Sequence, residues 1–201
     1  MSELIIAPCS YDACKYACTR YHYSKTVPAG KLFKIGVWED KKFKGVVIFS
    51  RGATLQIGDP YNLSQTEICE LTRVALHNHD HPVTEIVSKS LKLLHKNNPG
   101  LELVVSYADK NQNHLGVIYQ AGNWIYEGYR KVTPSIMINN KKIHARTVYA
   151  KYGRNSIKWL KEHVDPNAHY AEDKGRYKYL YPLTKRARRK YETLHKPYPK
   201  N

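Results

Sequence analysis

The groups best placed for chemistry in this 201-residue chain are a phenol, a carboxylate and a neighbouring imidazole–phenol pair. Tyr119 stands near the end of a short amphipathic segment, where a phenol can protonate a leaving group in acyl transfer. The same tyrosine in an ordinary helix packs into the core with its hydroxyl on a backbone partner. Asp109 lies ten residues upstream, just past the apolar run Leu101 to Tyr107. A carboxylate there can orient a substrate amine, hold a metal, or simply close a turn. His22 and Tyr23 offer a base and a face on which a nucleobase can stack, with Ser24 and Lys25 beside them as substrate contacts. Arg73 would approach from a neighbouring strand. His22, Tyr23 and Asp109 are hard or borderline ligands of a kind that hold iron. The run His77-Asn78-His79-Asp80-His81 is rich in ligand types, but consecutive residues rarely converge on one ion, so a solvated loop is expected. Cys9, Cys14 and Cys18 lack the CxxC pair of a zinc site and read as small apolar residues packing a helix.

These groups need elements to hold them. Leu101, Leu103, Val104, Val105 and Tyr107 form a β-rich apolar run that predicts a buried strand. Asn113 offers an N-cap to a helix carrying Leu115, Ile118, Tyr119 and Ala121, which Gly122 and Asn123 stop before a strand at Trp124-Ile125-Tyr126. Upstream, a strand at Leu4-Ile5-Ile6 precedes a helix from Tyr11 to Arg20 capped by Ser10. Lys31–Trp38 and Lys44–Arg51 form a hairpin, and 52–64 is a polar, substrate-facing loop. Glu67–Leu76 alternates as a strand, and Val83–Lys96 is a helix with Val83, Val87, Leu91 and Leu94 on its core stripe. The strand, loop, helix, strand order is a βαβ unit with a cleft at the carboxyl ends of its strands. Arg130–Ile138 and Lys141–Tyr149 read as a second hairpin about Asn139-Asn140, and Ser156–His163 as a helix. The fold class is therefore α/β (α+β), a central mixed sheet flanked by helices.

Asn113, Gly116, Tyr119, Gly122 and Trp124, following this strand, resemble motifs A and B of the GNAT N-acetyltransferase superfamily. That resemblance implies a transferase fold without naming a substrate. Members that use acyl-coenzyme A carry a glycine-rich loop whose amides bind pyrophosphate at a helix N-terminus. Here no glycine lies between Arg73 and Gly100, so acyl-coenzyme A is not the expected donor and the donor stays unknown. Thr84 and Ser88, at the start of the helix, can still receive an anion, and Asn113 and His114 join them as donor or substrate contacts.

Thirty-three Lys and Arg against seventeen Asp and Glu leave a net charge of +16. Such an excess favours a polyanion, most often nucleic acid, and seventeen tyrosines add faces for stacking on unpaired bases. From Lys174 to Asn201 ten Lys or Arg stand against the single acid Glu192. Lys185, Arg186, Arg188, Arg189 and Lys190, in a segment interleaved with tyrosines that include Tyr177 and Tyr179, read as a nucleic-acid strap rather than a solvated helix face. The expected division is a transferase domain over 1–150 and a basic, tyrosine-rich extension over 151–201. No apolar run approaches a membrane span, and four cysteines without a signal peptide point to a reducing cytoplasm, that of the host cell.

Four stretches narrow the resemblance: Tyr21-His22-Tyr23-Ser24, Glu70-Leu71-Thr72-Arg73, Ser106-Tyr107-Ala108-Asp109, and His114-Leu115-Gly116-Val117-Ile118-Tyr119-Gln120-Ala121. Together they look like the Mom family of phage DNA-modification proteins. The resemblance implies transfer of a carbamoylmethyl group to the N6 amine of adenine in double-stranded DNA, shielding it from restriction. Adenine N6 is hidden in the duplex, so the base must be flipped out. Two other readings stay open: an acyl or aminoacyl transferase acting on protein or RNA, and a DNA-binding protein without catalysis.

Overall fold

The computed structural model describes residues 2–52, 54–131 and 135–200. In chain order it runs β1 (Leu4–Pro8), α1 (Tyr11–Tyr21), β2 (Leu32–Glu39), β3 (Lys42–Ser50), a 3-10 segment (Leu55–Tyr61), β4 (Ile68–Leu76), α2 (Val83–Asn97) and β5 (Leu103–Asp109). A 3-10 turn (Lys110–Gln112) leads to α3 (Val117–Ala121) and β6 (Ile125–Arg130). Then come β7 (Ile136–Ile138), β8 (Lys141–Ile143), α4 (Ala145–Tyr152), α5 (Ile157–His163), β9 (His169–Tyr170), β10 (Arg176–Pro182) and α6 (Lys185–Tyr191).

Seven strands form the main sheet in the order β1-β2-β3-β4-β5-β10-β6. The first four pair antiparallel, and β4 and β5 pair in parallel. The hairpin between β2 and β3 turns through Asp40 and Lys41, both at positive φ, as a tight two-residue connection requires. Ser10 caps α1 by accepting the Ala13 amide, and the helix buries Cys14, Ala17 and Cys18 against Val46, Ile48 and Ala75. The cysteines thus pack, as their spacing predicts. A second core cluster gathers Ile57, Tyr61, Ile68, Leu103, Val105, Ile125, Leu180 and Tyr191.

Two compact units divide the chain. The first holds the main sheet and comprises the stretches up to Ala108, Leu115–Gly128, and Lys178 onward. The second comprises Asp109–His114 and Tyr129–Tyr177. It contains a three-stranded sheet, β8-β7-β9, and buries Ile136, Ile138, Ala145, Val148, Leu160 and Ala168.

Several local expectations are corrected. Asn113 does not cap the Tyr119 helix; it closes the Lys110–Gln112 turn in the left-handed region, φ 55°, which asparagine tolerates. The helix starts later, at Val117, behind Gly116 at φ 80°. A Cβ on Gly116 would fall 2.4 Å from Cε2 of Tyr179, so glycine is required there by space as well as by backbone. The 52–64 loop is not a free polar segment, because Ile57, Tyr61 and Leu63 are buried in the core. The Asn139-Asn140 hairpin is present, but its second strand ends at Ile143 and 145–149 is helical. Part of its expected first strand, 132–134, lies outside the described residues. The C-terminal strap is the largest correction. Arg176–Pro182 is a strand of the main sheet, and α6 behind it buries Ala187 and Tyr191. The buried run Lys178-Tyr179-Leu180 has no polar–apolar alternation to mark it as a strand within a basic stretch.

Candidate active site

The parallel ladder of β4 and β5 pairs Ile68 to Leu71 with Leu103 to Ser106 and goes no further, although β4 continues to Leu76. At this fork Ser106 Oγ lies 2.8 Å from the Leu71 carbonyl and 2.8 Å from the Tyr119 hydroxyl. A serine has one hydroxyl proton, so it has two settings. Donating to the Leu71 carbonyl, it leaves Ser106 to accept from Tyr119. Donating to Tyr119, it frees the phenolic proton for a third partner. Burial pushes the Tyr119 phenol up to about 12, only partly offset by Ser106, and the nearby Tyr23 phenol and Glu70 carboxylate push it the same way. Near neutral pH Tyr119 is therefore a proton donor and not a base. Its ring is wedged between Trp124 at 5.0 Å and Tyr179 at 5.1 Å.

Tyr23 comes from the turn after α1. Its ring lies 4.3 Å from that of His22, and it is 49% exposed, the one accessible aromatic face of the group. His22 Nδ1 accepts the Ser24 amide at 3.1 Å and lies 2.9 Å from Ser24 Oγ. An Nδ1 that accepts an N–H carries no proton in the neutral ring, so the proton sits on Nε2 and His22 presents a donor there. Arg73 ties this turn to β4: its Nε donates to the Thr26 carbonyl at 3.4 Å and its Nη1 to the Thr72 carbonyl at 2.7 Å. Lys25 folds back to the Arg20 carbonyl at the end of α1. Arg73 and Lys25 thus hold the turn that presents His22 and Tyr23.

Asp109 belongs to the second unit, where its Oδ1 accepts the amide and the side-chain nitrogen of Asn111, both at 2.9 Å. His114 is in that unit too, its amide on the Asp109 carbonyl. Among the described residues no three His, Cys, Asp or Glu side chains are grouped to ligate a metal. Glu70 was not among the expected residues. Its signal is a carboxylate inside the strand run Ile68-Cys69-Glu70-Leu71, where an acid is out of place.

The loop before α2 shows what stands in place of a glycine-rich anion loop. Asp80 and His81 donate their amides to Glu39 at 2.8 and 2.9 Å, and Lys44 Nζ lies 3.6 Å from the same carboxylate. Burial pushes Glu39 up, but these amides and the Lys44 and His81 charges outweigh it and hold the carboxyl below its usual range. Two amides of this loop, those of Asp80 and His81, are thus satisfied by an internal anion. Beyond the first turn of α2 lies an open cleft of about 600 Å³, walled by Thr84, Ser88, Asn123, Thr184, Lys185 and Arg188. Thr84 and Ser88 stand on the wall of this cleft. Arg188 faces this cleft and is bound to the Asn123 carbonyl and to Glu192. Lys190 is paired with Glu102, while Lys185, Arg186 and Arg189 are exposed. Tyr179, expected as a stacking face, is fully buried in the sheet, with its hydroxyl on the Leu115 carbonyl. Tyr177 packs edge-on to Tyr129 at 6.2 Å.

Comparison with known proteins agrees with this architecture. The chain is similar to an N-acetyltransferase from Staphylococcus aureus Mu50, 14% identical, TM-score 0.51, covering 90% of this chain and 98% of that one. It is also similar to the ribosomal-protein-S5-alanine acetyltransferase of Vibrio fischeri, 11% identical, TM-score 0.50, covering 92% and 98%. These likenesses establish the GNAT-like fold. In sequence, the chain is 28% identical over 188 residues to the methylcarbamoylase mom of Escherichia phage Mu, covering 89% of this chain and 76% of that protein. A model of the Mom protein family matches residues 3–200, and the chain belongs to that family.

Proposed function

We propose that this protein is a transferase that adds a carbamoylmethyl group to the N6 amine of adenine in double-stranded DNA, acting on a flipped base and protecting phage DNA from restriction. The observation that carries the reading is the protonated, buried Tyr119 hydroxyl held by Ser106 where β4 and β5 part. The name of the phage Mu relative and the family match support the group transferred. Overall, one hydrogen on N6 is exchanged for a CH2–C(=O)NH2 group. Tyr23 supplies the face against which the flipped adenine stacks. His22, donating from Nε2, orients the base or the donor. Glu70 takes up the proton that N6 releases, and Tyr119 gives its own to the departing group of the donor, regaining one from solvent once the product has left. The donor's anionic end lies in the cleft of Thr84 and Ser88, near Lys185 and Arg188. Iron at His22, Tyr23 and Asp109 is carried outside this mechanism, and metal analysis of the purified protein against its His22→Ala variant tests it.

The deciding experiment is mass spectrometry of nucleosides from DNA of cells expressing the protein. A new adenosine derivative, heavier by the mass of the carbamoylmethyl exchange, is expected. The α2 cleft favours one second reading, transfer of an acyl or aminoacyl group from an anionic carrier to protein or RNA. Unmodified DNA with acylated protein or RNA would establish that reading, and no modification of any of them would leave a DNA-binding protein without catalysis.

A further inference from the structure

The second unit carries twelve Lys and Arg against five Asp and Glu, a net charge of +7 within 55 residues. The first unit spreads +9 over the remaining 146. All twelve basic residues of the second unit are exposed. The acids are not. Asp165 is buried and accepts the amides of Asn139 and Asn167. Asp173 accepts the Asn111 side chain and the Gly175 amide, and Asp109 caps the turn at Asn111. Three of five carboxylates are thus consumed as internal acceptors, leaving Glu162 and Glu172 as the exposed acids. The fold turns its negative charge inward and its positive charge outward.

Several aromatic rings of this unit lie beneath its cations. Lys110 sits over both Tyr129 and Tyr177, at 5.5 and 5.8 Å. Lys151 lies over Tyr152, Arg154 over Trp159, and His163 stacks on Trp159 at 4.7 Å. Tyr149 and Tyr170 stay open to solvent, but the twelve exposed ammonium and guanidinium groups far outnumber them. That arrangement suits phosphates evenly spaced along a duplex.

We propose that the second unit is a docking surface for the phosphate backbone of double-stranded DNA, with Lys141, Arg146, Lys158 and Lys161 among its contacts. The proposal rests on DNA being the substrate and names the surface that holds it. It moves the main electrostatic footprint from the C-terminal segment to β8, α4 and α5.

The test is binding of the full-length protein to a fluorescent 20–30 base-pair duplex across a salt series, with the four positions changed to Gln. The same changes made in pairs, Arg146→Gln with Lys158→Gln and Lys141→Gln with Lys161→Gln, guard against misfolding of the quadruple variant. A control set in the first unit, Lys15→Gln, Lys92→Gln and Lys96→Gln, removes charge elsewhere. The expected result is a loss of affinity of roughly tenfold or more near 0.1 M salt, with the slope of log K against log salt shallower by about 0.9 for each phosphate left without its cation. The control set should stay within about twofold, as charge that meets no phosphate does. Unchanged affinity and slope, equal losses in both sets, or tighter binding to single-stranded RNA of the same length would overturn the proposal. If the parent modifies adenine while the four changes leave DNA binding intact, this surface alone is wrong. A parent that neither binds nor modifies DNA overturns the substrate assignment as well.

Discussion

Replacing Tyr119 by Phe removes one oxygen and little else. The ring keeps its contacts with Trp124 and Tyr179, and Ser106 keeps the Leu71 carbonyl as its acceptor, so no buried donor is orphaned. The stability cost is that of one neutral hydrogen bond, about 1 kcal/mol, against a total of roughly 5–15 kcal/mol. The variant should fold. A proton donor acting in the transition state contributes roughly a hundredfold or more, about 2.7 kcal/mol of barrier. Turnover, followed as modified adenosine per unit of folded protein, should fall by that factor while DNA affinity holds. The same substitution also reads the ionisation. An unfolded tyrosine loses its proton near pH 10, whereas Tyr119 in the fold keeps it up to about 12. Between those values the unfolded chain binds fewer protons, so stability falls as pH rises, by about 1 kcal/mol per pH unit for this group. Stability of parent and variant measured from pH 9 to 11 should therefore converge as the parent loses its advantage. A folded Phe variant that modifies adenine at the parental rate would refute the assignment of Tyr119 as the proton donor.

Three further outcomes follow from the geometry. Gly116→Ala should cost about 1–3 kcal/mol and lower activity with it, since a Cβ there strikes the Tyr179 ring and the residue sits at φ 80°; thermal unfolding and adenosine yield measure both. Glu39→Gln should destabilise by about 1–3 kcal/mol near pH 7. Its depressed carboxyl makes the parent's advantage present above the unfolded value near 4.5 and lost as pH falls through the lower folded value, so the two proteins should differ least in strong acid. Tyr179→Ala, at a fully buried ring, should cost about 3–5 kcal/mol yet leave DNA affinity of the protein that still folds unchanged; a specific loss of affinity with full stability would restore its role as a stacking face.

Elements with a clean period were legible in the sequence. The alternation of β4, the apolar stripe of α2 and the Ser10 cap each announced themselves locally, and so did the β5 run and Tyr119. What escaped was decided by long-range pairing. The 176–182 stretch reads as a basic, tyrosine-rich tail because its lysines and tyrosines carry no local sign that it lies between β5 and β6. Tyr179 was misassigned for the same reason. Asn113 misled because asparagine serves both as N-cap and as a left-handed closing residue, and only the φ values distinguish them. Glu70 was overlooked because its proximity to Tyr119 depends on where the two parallel strands part, which residue types alone do not encode.

The place of β10 between β5 and β6 has a consequence for biosynthesis. A chain emerging from the ribosome presents β5 and β6 long before residue 176, and until then each has an edge without its partner. Unpaired strand edges are templates for wrong association, and pairing across such a sequence separation is slow. Tyr179, which meets Gly116, the Leu115 carbonyl and the Tyr119 ring, arrives with that late strand. Tyr119 therefore gains its final wall only after the strand at 176–182 has been made. Chains stalled before residue 176 should be inactive and prone to aggregate, and the first modified adenines should trail the appearance of full-length protein.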